Sequence, residues 1–225
     1  IDSNFAGSVN KAEVIMSILS NYTPDCLVEC YIECDINDLS QISGNQSPEH
    51  FARKFDKAVQ IAREYMPRAV THNKGIFNGV DSVLLATGND FRAVEACGHA
   101  YASRDGKYTS LTDIELKDNR FRYSLKMPLA LGTVGGATSV HPLAVLALQI
   151  MHNFTAEELM HIAASAGLAA NFSAVRSLIT DGIQKGHMKL HLNNILVQLS
   201  ANSQEKQLAE NHFRNKQVSF SVVAD

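Results

Sequence analysis

The stretch Thr109 to Met127, TSLTDIELKDNRFRYSLKM, alternates apolar and polar residues on both sides of Lys117-Asp118-Asn119. Successive side chains of a strand point to opposite faces, so this alternation describes two strands, each with one wet and one buried face. Separated by so short a turn, they pair most simply with each other, which predicts an antiparallel hairpin. A lone hairpin is marginal in water, so the remaining chain must cover its apolar face.

A further strand is predicted in CLVECYIECDI, from Leu27 to Ile36, after Pro24 closes a helical pattern of Val9, Ala12, Ile15, Ile18 and Leu19 over residues 8 to 22. Cys26, Cys30 and Cys34 would share one face of that strand, and without a CxxC pair they read as buried free thiols. The polar run NDLSQISGNQSPEH is a turn-rich seam in which Ser47-Pro48-Glu49 starts a helix. Its apolar face would be Phe51, Phe55, Val59, Ala62 and Met66. From Thr71 to Asp90 the mixture of glycines and polar groups suggests loops around buried polar chemistry.

Helices are predicted from Phe91 to Arg104 and from Pro142 to Met151. Thr155 with Glu158 forms a capping box for a helix through Ala166, which a stripe from Ala169 to Ile183 continues and Gly186 terminates. Residues from His187 onward read as a polar helical tail. The fold class is α+β, rich in helix, with antiparallel strands.

Composition narrows the function classes. With 225 residues, 45% hydrophobic and 19% charged, the chain can bury a core and is not disordered. A net charge of -3 provides no basic field for nucleic acid or an anionic membrane. No uninterrupted apolar run reaches the roughly 20 residues of a membrane span, which suggests a cytoplasmic protein. The chain opens on Ile1 and closes on SFSVVAD, as a piece of a longer protein would.

Lys74 in HNKG and Asp90 in TGND are candidates for chemistry, because a lysine kept charged by a carboxylate can stabilise the oxyanion formed when a carbonyl is attacked. Spacing alone is better described by two solvated surface groups. Arg68 has the geometry to clamp a carboxylate, or to stand as a surface charge. His187 follows Gly186, where a helix C-terminus would favour the imidazolium a general acid requires; a capping histidine reads the same way. His187 and His191 have helical metal-ligand spacing but no third ligand, so no metal is expected. Gly132 to Thr138, GTVGGAT, is either a glycine turn approaching a phosphate or a plain turn.

Three blocks, RAVTHNKGIFNGVDSVLLATGNDFRAVEACGHAYASRDGKY, PLALGTVGGAT and AGLAANFSAVRSLITDGIQKGHM, resemble in order and spacing the catalytic portion of class II (bacterial) 3-hydroxy-3-methylglutaryl-coenzyme A reductases. The resemblance spans Arg68 to His191. It implies that Lys74 is the catalytic lysine, Asp90 the aspartate that tunes it, and His187 the acid that protonates the departing coenzyme A thiolate. It further implies substrate contacts from Arg68, Thr71, Asn78, Asn171, Ala174 and Leu178. Nucleotide contacts would come from Asp2, Asn10, Gly135 and Gly136, although Phe5 stands where the family's loop carries glycine and Ala170 where relatives often carry glutamine.

The implied reaction consumes two NADH or NADPH and converts HMG-CoA through a hemithioacetal and an aldehyde to mevalonate and coenzyme A, or runs in reverse. The implied organisation is the end of a small NAD(P)-binding domain over 1–46, part of the large catalytic domain over 47–186, and a C-terminal flap over 187–225. A homodimer with active sites at the interface is implied as well. The family's catalytic glutamate and coenzyme A contacts lie on an N-terminal half beyond this chain. The alternative reading is a remnant that binds coenzyme A thioesters or dimerises and turns nothing over.

Overall fold

The computed structural model of the chain describes residues 15–180, 183–213 and 218–224, and only the backbone of 183–190 and 224. Strand β1 (Leu27–Asp35) is followed by a 3-10 turn (Ile36–Gln41) and helices α1 (Pro48–Glu64), α2 (Met66–Thr87) and α3 (Phe91–Ala102). The hairpin β2 (Thr112–Lys117) and β3 (Arg120–Pro128) comes next. Helices α4 (Gly136–Val140), α5 (Pro142–Ile150), α6 (Ala156–Ile179), α7 (Ile183–Gln198), α8 (Ser203–His212) and α9 (Phe220–Ala224) complete the chain.

The sheet is antiparallel in the order β1-β3-β2, with Leu27 opposite Pro128 and Asp35 opposite Arg120. Asp118 and Asn119 take positive φ values of 49° and 61°, the turn that matches strand twist and that Asp and Asn tolerate best. Phe121, Tyr123, Leu125 and Met127 point inward and are fully buried. The outward residues Arg120 and Arg122 hold Glu33 at 2.7 and 3.0 Å. Helices α1, α3 and α6 lie against the sheet, and Phe55 of α1 contacts Phe121, Tyr123 and Phe172 with ring centroids 5.0 to 5.3 Å apart.

Strand β1 pairs along its whole length with β3, so residues 27–35 share a sheet with the segment after 46. Residues 15–22 form no helix, and Ile15, Met16, Ile18 and Leu19 are exposed; an amphipathic stripe with nothing to bury it against gains little from helix formation. Residues 8–14 lie outside the described part. Cys30 and Cys34 turn toward the core, and burial pushes the Cys30 thiol up to about 11, whereas Cys26 is exposed rather than buried. Met66 is exposed at the start of α2, because Pro67 cannot donate the next hydrogen bond of α1.

The loops expected after Thr71 are one 22-residue helix, α2. Its glycines serve a close crossing: a Cβ on Gly79 would fall on the Ala166 carbonyl, and one on Gly167 would lie 2.7 Å from Val80 Cγ2. The capping box at α6 is formed, with Glu158 N donating to Thr155 Oγ1 at 3.2 Å and Thr155 N to Glu158 Oε2 at 2.8 Å. Helix α6 alone among the described helices is long and apolar enough to cross a membrane, and its Leu159, Ala163, Ala164, Leu168 and Val175 are buried in the core. It ends at Ile179, and α7 runs through Gly186, so that residue does not stop a helix.

Candidate active site

Helix α2 presents two contrasting faces. Ala69, His72, Asn73, Ile76 and Val80 turn inward, while Thr71, Lys74 and Asn78 are exposed at steps of three and four residues, with half-buried Arg68 three residues before them. Four of the predicted site residues therefore form one row on one helix. From Met66 to Val80 this helix carries Arg68 and Lys74 and no carboxylate, and the aligned peptide dipoles add positive potential at its N-terminal end.

Neither cation is neutralised within the described residues. Arg63, Arg104, Lys107, Arg120 and Arg122 each have a carboxylate within 4.0 Å, whereas Arg68 and Lys74 have none. Partial burial lowers the pKa of the Arg68 guanidinium, with Tyr123 acting in the opposite direction. A guanidinium stays charged regardless, so Arg68 is a half-desolvated cation without an anion, suited to a bidentate carboxylate.

The antiparallel crossing sets Gly75 beside Asn171 and Gly79 beside Ala166. Continuing that register puts Ala174 and Leu178 level with the Thr71 and Arg68 end of the row. Leu178 is exposed there and Ala174 half-buried. Asn171 is placed otherwise than expected: it is buried, its Nδ2 donating to His72 O at 2.7 Å and its Oδ1 accepting from Tyr123 OH at 2.5 Å. Both ends of its amide face the protein interior.

Asp90 stands apart from Lys74. It is the N-cap of α3, accepting from Ala93 N at 3.1 Å, and thirteen residues of helix lie between Lys74 and the end of α2, about 20 Å at 1.5 Å per residue. The lysine and aspartate therefore do not face one another across two loops. The neighbours of Asp90 belong instead to the glycine loop. Asn89 accepts from Gly132 N at 2.9 Å and donates to Gly132 O at 3.1 Å, and a Cβ on Gly88 would meet Thr138 N and Ala144 Cβ at 3.3 Å. Gly135 and Gly136 take φ values of 78° and 53°, with open space where a Cβ would stand. The predicted residues among those described thus form two groups, one along the first half of α2 and one beyond its C-terminal end.

His187 is the fifth residue of α7, not a residue beyond a helix C-terminus, so the dipole argument for a raised pKa does not hold. Its side chain lies outside the described residues, as do Asp2 and Asn10. Among the described residues no group of three His, Cys, Asp or Glu side chains has the arrangement of a metal site.

Sequence reasoning missed a buried polar seam behind the row. His72 Nε2 lies 2.7 Å from Thr112 Oγ1, which is 3.1 Å from Tyr123 OH and 2.9 Å from Ser110 Oγ. Asn73 donates to Tyr108 OH at 3.0 Å and Thr109 O at 2.9 Å, and accepts from Leu111 N at 3.0 Å. Tyr108 OH in turn meets His99 Nδ1 at 2.8 Å. Burial, with the Arg68 charge adding to it, pushes the His72 imidazole down to about 3, so it is neutral at ordinary pH. The available signal was His72 and Asn73 falling on the apolar stripe of Ala69, Ile76 and Val80.

Comparison with known proteins shows what this architecture is similar to. The family model for hydroxymethylglutaryl-coenzyme A reductase matches residues 3–192. A 3-hydroxy-3-methylglutaryl-coenzyme A reductase of Archaeoglobus fulgidus is 48% identical over 139 residues, covering 61% of this chain and 32% of the relative. A probable 3-hydroxy-3-methylglutaryl-coenzyme A reductase of Borreliella burgdorferi is 39% identical over 184 residues, covering 82% and 42%. A 3-hydroxy-3-methylglutaryl-coenzyme A reductase structure from Streptococcus pneumoniae superposes with a TM-score of 0.71 at 37% identity, over 93% of this chain and 50% of that one. A class II reductase structure of that species, bound to NADPH in open conformations, gives 0.70 at 37% identity, over 93% and 51%. The chain therefore spans about half the length of the solved relatives.

Proposed function

The chain belongs to the hydroxymethylglutaryl-coenzyme A reductase family, and we propose that it is the lysine-bearing part of an enzyme that reduces the HMG-CoA thioester to mevalonate and coenzyme A, or runs the reverse. The observation that carries this reading is the row Arg68, Thr71, Lys74 and Asn78, with two cations on one helix face that no described carboxylate pairs. Arg68 and Thr71 hold the carboxylate end of the substrate, and Asn78 lies beside the reacting carbonyl. The Lys74 ammonium stabilises the oxyanion left by each of the two hydride additions. His187 gives a proton to the coenzyme A thiolate, which keeps it from adding back.

A nicotinamide nucleotide supplies the hydride, and NADPH accords with the solved relative described with it. Gly135 and Gly136 fit a phosphate group, since the backbone there is bare where a Cβ would block approach; Asp2 and Asn10 are assigned to the nucleotide by the family resemblance alone. With about 20 Å of helix between Lys74 and the end of α2, a homodimer that faces the row of one protomer with the Asp90 corner of its partner brings the two groups together. Residues 187–225 act as a flap over the bound substrates. A cytoplasmic location belongs to the same reading.

The test is nicotinamide absorbance in both directions with HMG-CoA, or mevalonate plus coenzyme A, for this chain and for a longer product carrying the N-terminal half. Turnover by the longer product, and its loss in Lys74→Ala with coenzyme A binding retained, is expected. A Lys74→Ala enzyme keeping more than about a tenth of kcat, a loss below ~1.4 kcal/mol, removes Lys74 from its role. Silence of the longer product favours a remnant that binds without turnover.

A further inference from the structure

The crossing of α2 over α6 is made of glycine, alanine and aliphatic side chains, with Gly79 on Ala166 and Gly167 on Ile76 and Val80. Such a fit sets how closely the helices approach and forbids a full one-residue slip, which would press Asn78 or Val80 onto the Ala166 carbonyl. It does less to stop a tilt of α2 or a small rotation about its axis. Either motion would carry Arg68 and Lys74 away from a bound substrate, and a misplacement of about 1 Å can cost on the order of a hundredfold in rate.

The polar seam supplies directional contacts, one of them, Asn171 Nδ2 to His72 O, within the crossing itself. Asn73 uses both its amide hydrogens and its carbonyl on the segment leading into β2, at Tyr108, Thr109 and Leu111. One residue back, His72 is held by its ring through Thr112 and by its carbonyl through Asn171. The hydrogens can be assigned along the chain. Asn171 Nδ2 points at His72 O, so its Oδ1 faces Tyr123 and can only accept. The tyrosine proton is therefore committed to Asn171, and the Thr112 hydroxyl is left to pair with His72 Nε2 at 2.7 Å. Both residues sit within two positions of Lys74, on the opposite face of the same turn. A core filled by apolar side chains of equal shape would be as stable or more so, because buried polar pairs add little net free energy, whereas each one has few alternative partners.

We propose that the buried chain Asn171–Tyr123–Thr112–His72, with Asn73 beside it, sets the orientation of α2 and so aims Arg68 and Lys74, making Thr112 and Tyr123 positioning residues for the reduction. This rests on the reading of Lys74 as the oxyanion-stabilising group.

The experiment uses the full-length enzyme with four variants: Thr112→Val, which deletes the hydroxyl without changing shape, Thr112→Ser, which keeps it, Tyr123→Phe and Lys74→Ala. The readouts are kcat, KM for each substrate and the urea midpoint. Thr112→Val and Tyr123→Phe are expected to lower kcat about tenfold or more, with KM for the nicotinamide nucleotide within about twofold. Thr112→Ser is expected to recover kcat to within about threefold of the parent. A merely structural hydroxyl would lower the urea midpoint and leave kcat of the folded enzyme unchanged, and that result overturns the proposal. Equal losses in Thr112→Ser and Thr112→Val overturn it too. A Thr112→Val enzyme that does not fold leaves Tyr123→Phe to decide by the same criteria. Inactive Lys74→Ala beside normal Thr112→Val and Tyr123→Phe refutes the positioning role alone, whereas active Lys74→Ala, or a parent without turnover, removes the catalytic reading and this proposal together.

Discussion

At the scale of single residues, the buried polar groups determine how the fold responds to pH. Asp81 on α2 has its Oδ1 buried without a donor, and burial, the facing Glu95 charge and a hydrogen bond shared with Glu95 raise its pKa to about 6. In the unfolded chain it loses its proton near 3.9, so between about pH 4 and 6 the folded state binds more protons and stability falls as pH rises. His72 acts with the opposite sign, because the unfolded imidazole takes up a proton below about 6.5 that the folded one refuses down to about 3. Asp81→Asn keeps a donor toward Glu95 at every pH. Its urea midpoint should exceed that of the parent at pH 7.5 and converge with it near pH 4. Midpoints separated equally at both values would show that Asp81 is not protonated in the fold.

At the scale of elements, the crossing of α2 and α6 allows no added atoms. Gly79→Ala places a methyl on the Ala166 carbonyl, and Gly167→Ala places one 2.7 Å from Val80 Cγ2 and 3.1 Å from Ile76 Cγ2. The gain in helix propensity, about 1 kcal/mol, is smaller than the repacking this demands, so each substitution should lose a net ~1 to 3 kcal/mol in denaturant unfolding. Gly79→Ala should lose more, since its obstacle is backbone. A variant as stable as the parent would show that the helices can part without cost. Glycines that read as loop signals in sequence are contact points here, because a missing side chain looks the same whether the backbone bends or is approached.

At the scale of the whole molecule, α5 and its surroundings are apolar on both sides. Ala144 and Leu148 are buried, while Val140 is 79%, Leu143 67% and Ile150 70% exposed, with Leu85 of α2 at 61%. A helix that is hydrophobic all round is normally covered. In the homodimer proposed above, the partner would cover that surface. Sedimentation velocity at micromolar concentration should give a dimer, and Leu143→Glu with Ile150→Lys should shift it to monomer. A parent chain that sediments as a monomer would count against both the interface and the shared site.

Period-two alternation and Asp118-Asn119 determined the β2–β3 hairpin, and Thr155 with Glu158 determined the start of α6, because these signals act through neighbouring residues. The residues of the row from Arg68 to Asn78 came from the family resemblance, but their alignment did not, because the segment from Thr71 read as loops and only a helix turns that spacing into one face. Tertiary structure decided the rest. Pairing of β1 with β3, burial of Asn171 against Tyr123 and His72, and the distance between Lys74 and Asp90 all depend on residues far apart in the chain, and no local pattern encodes which of them meet. Gly186 within α7 belongs with these, since helix propensity there is weak enough for the surrounding structure to override it.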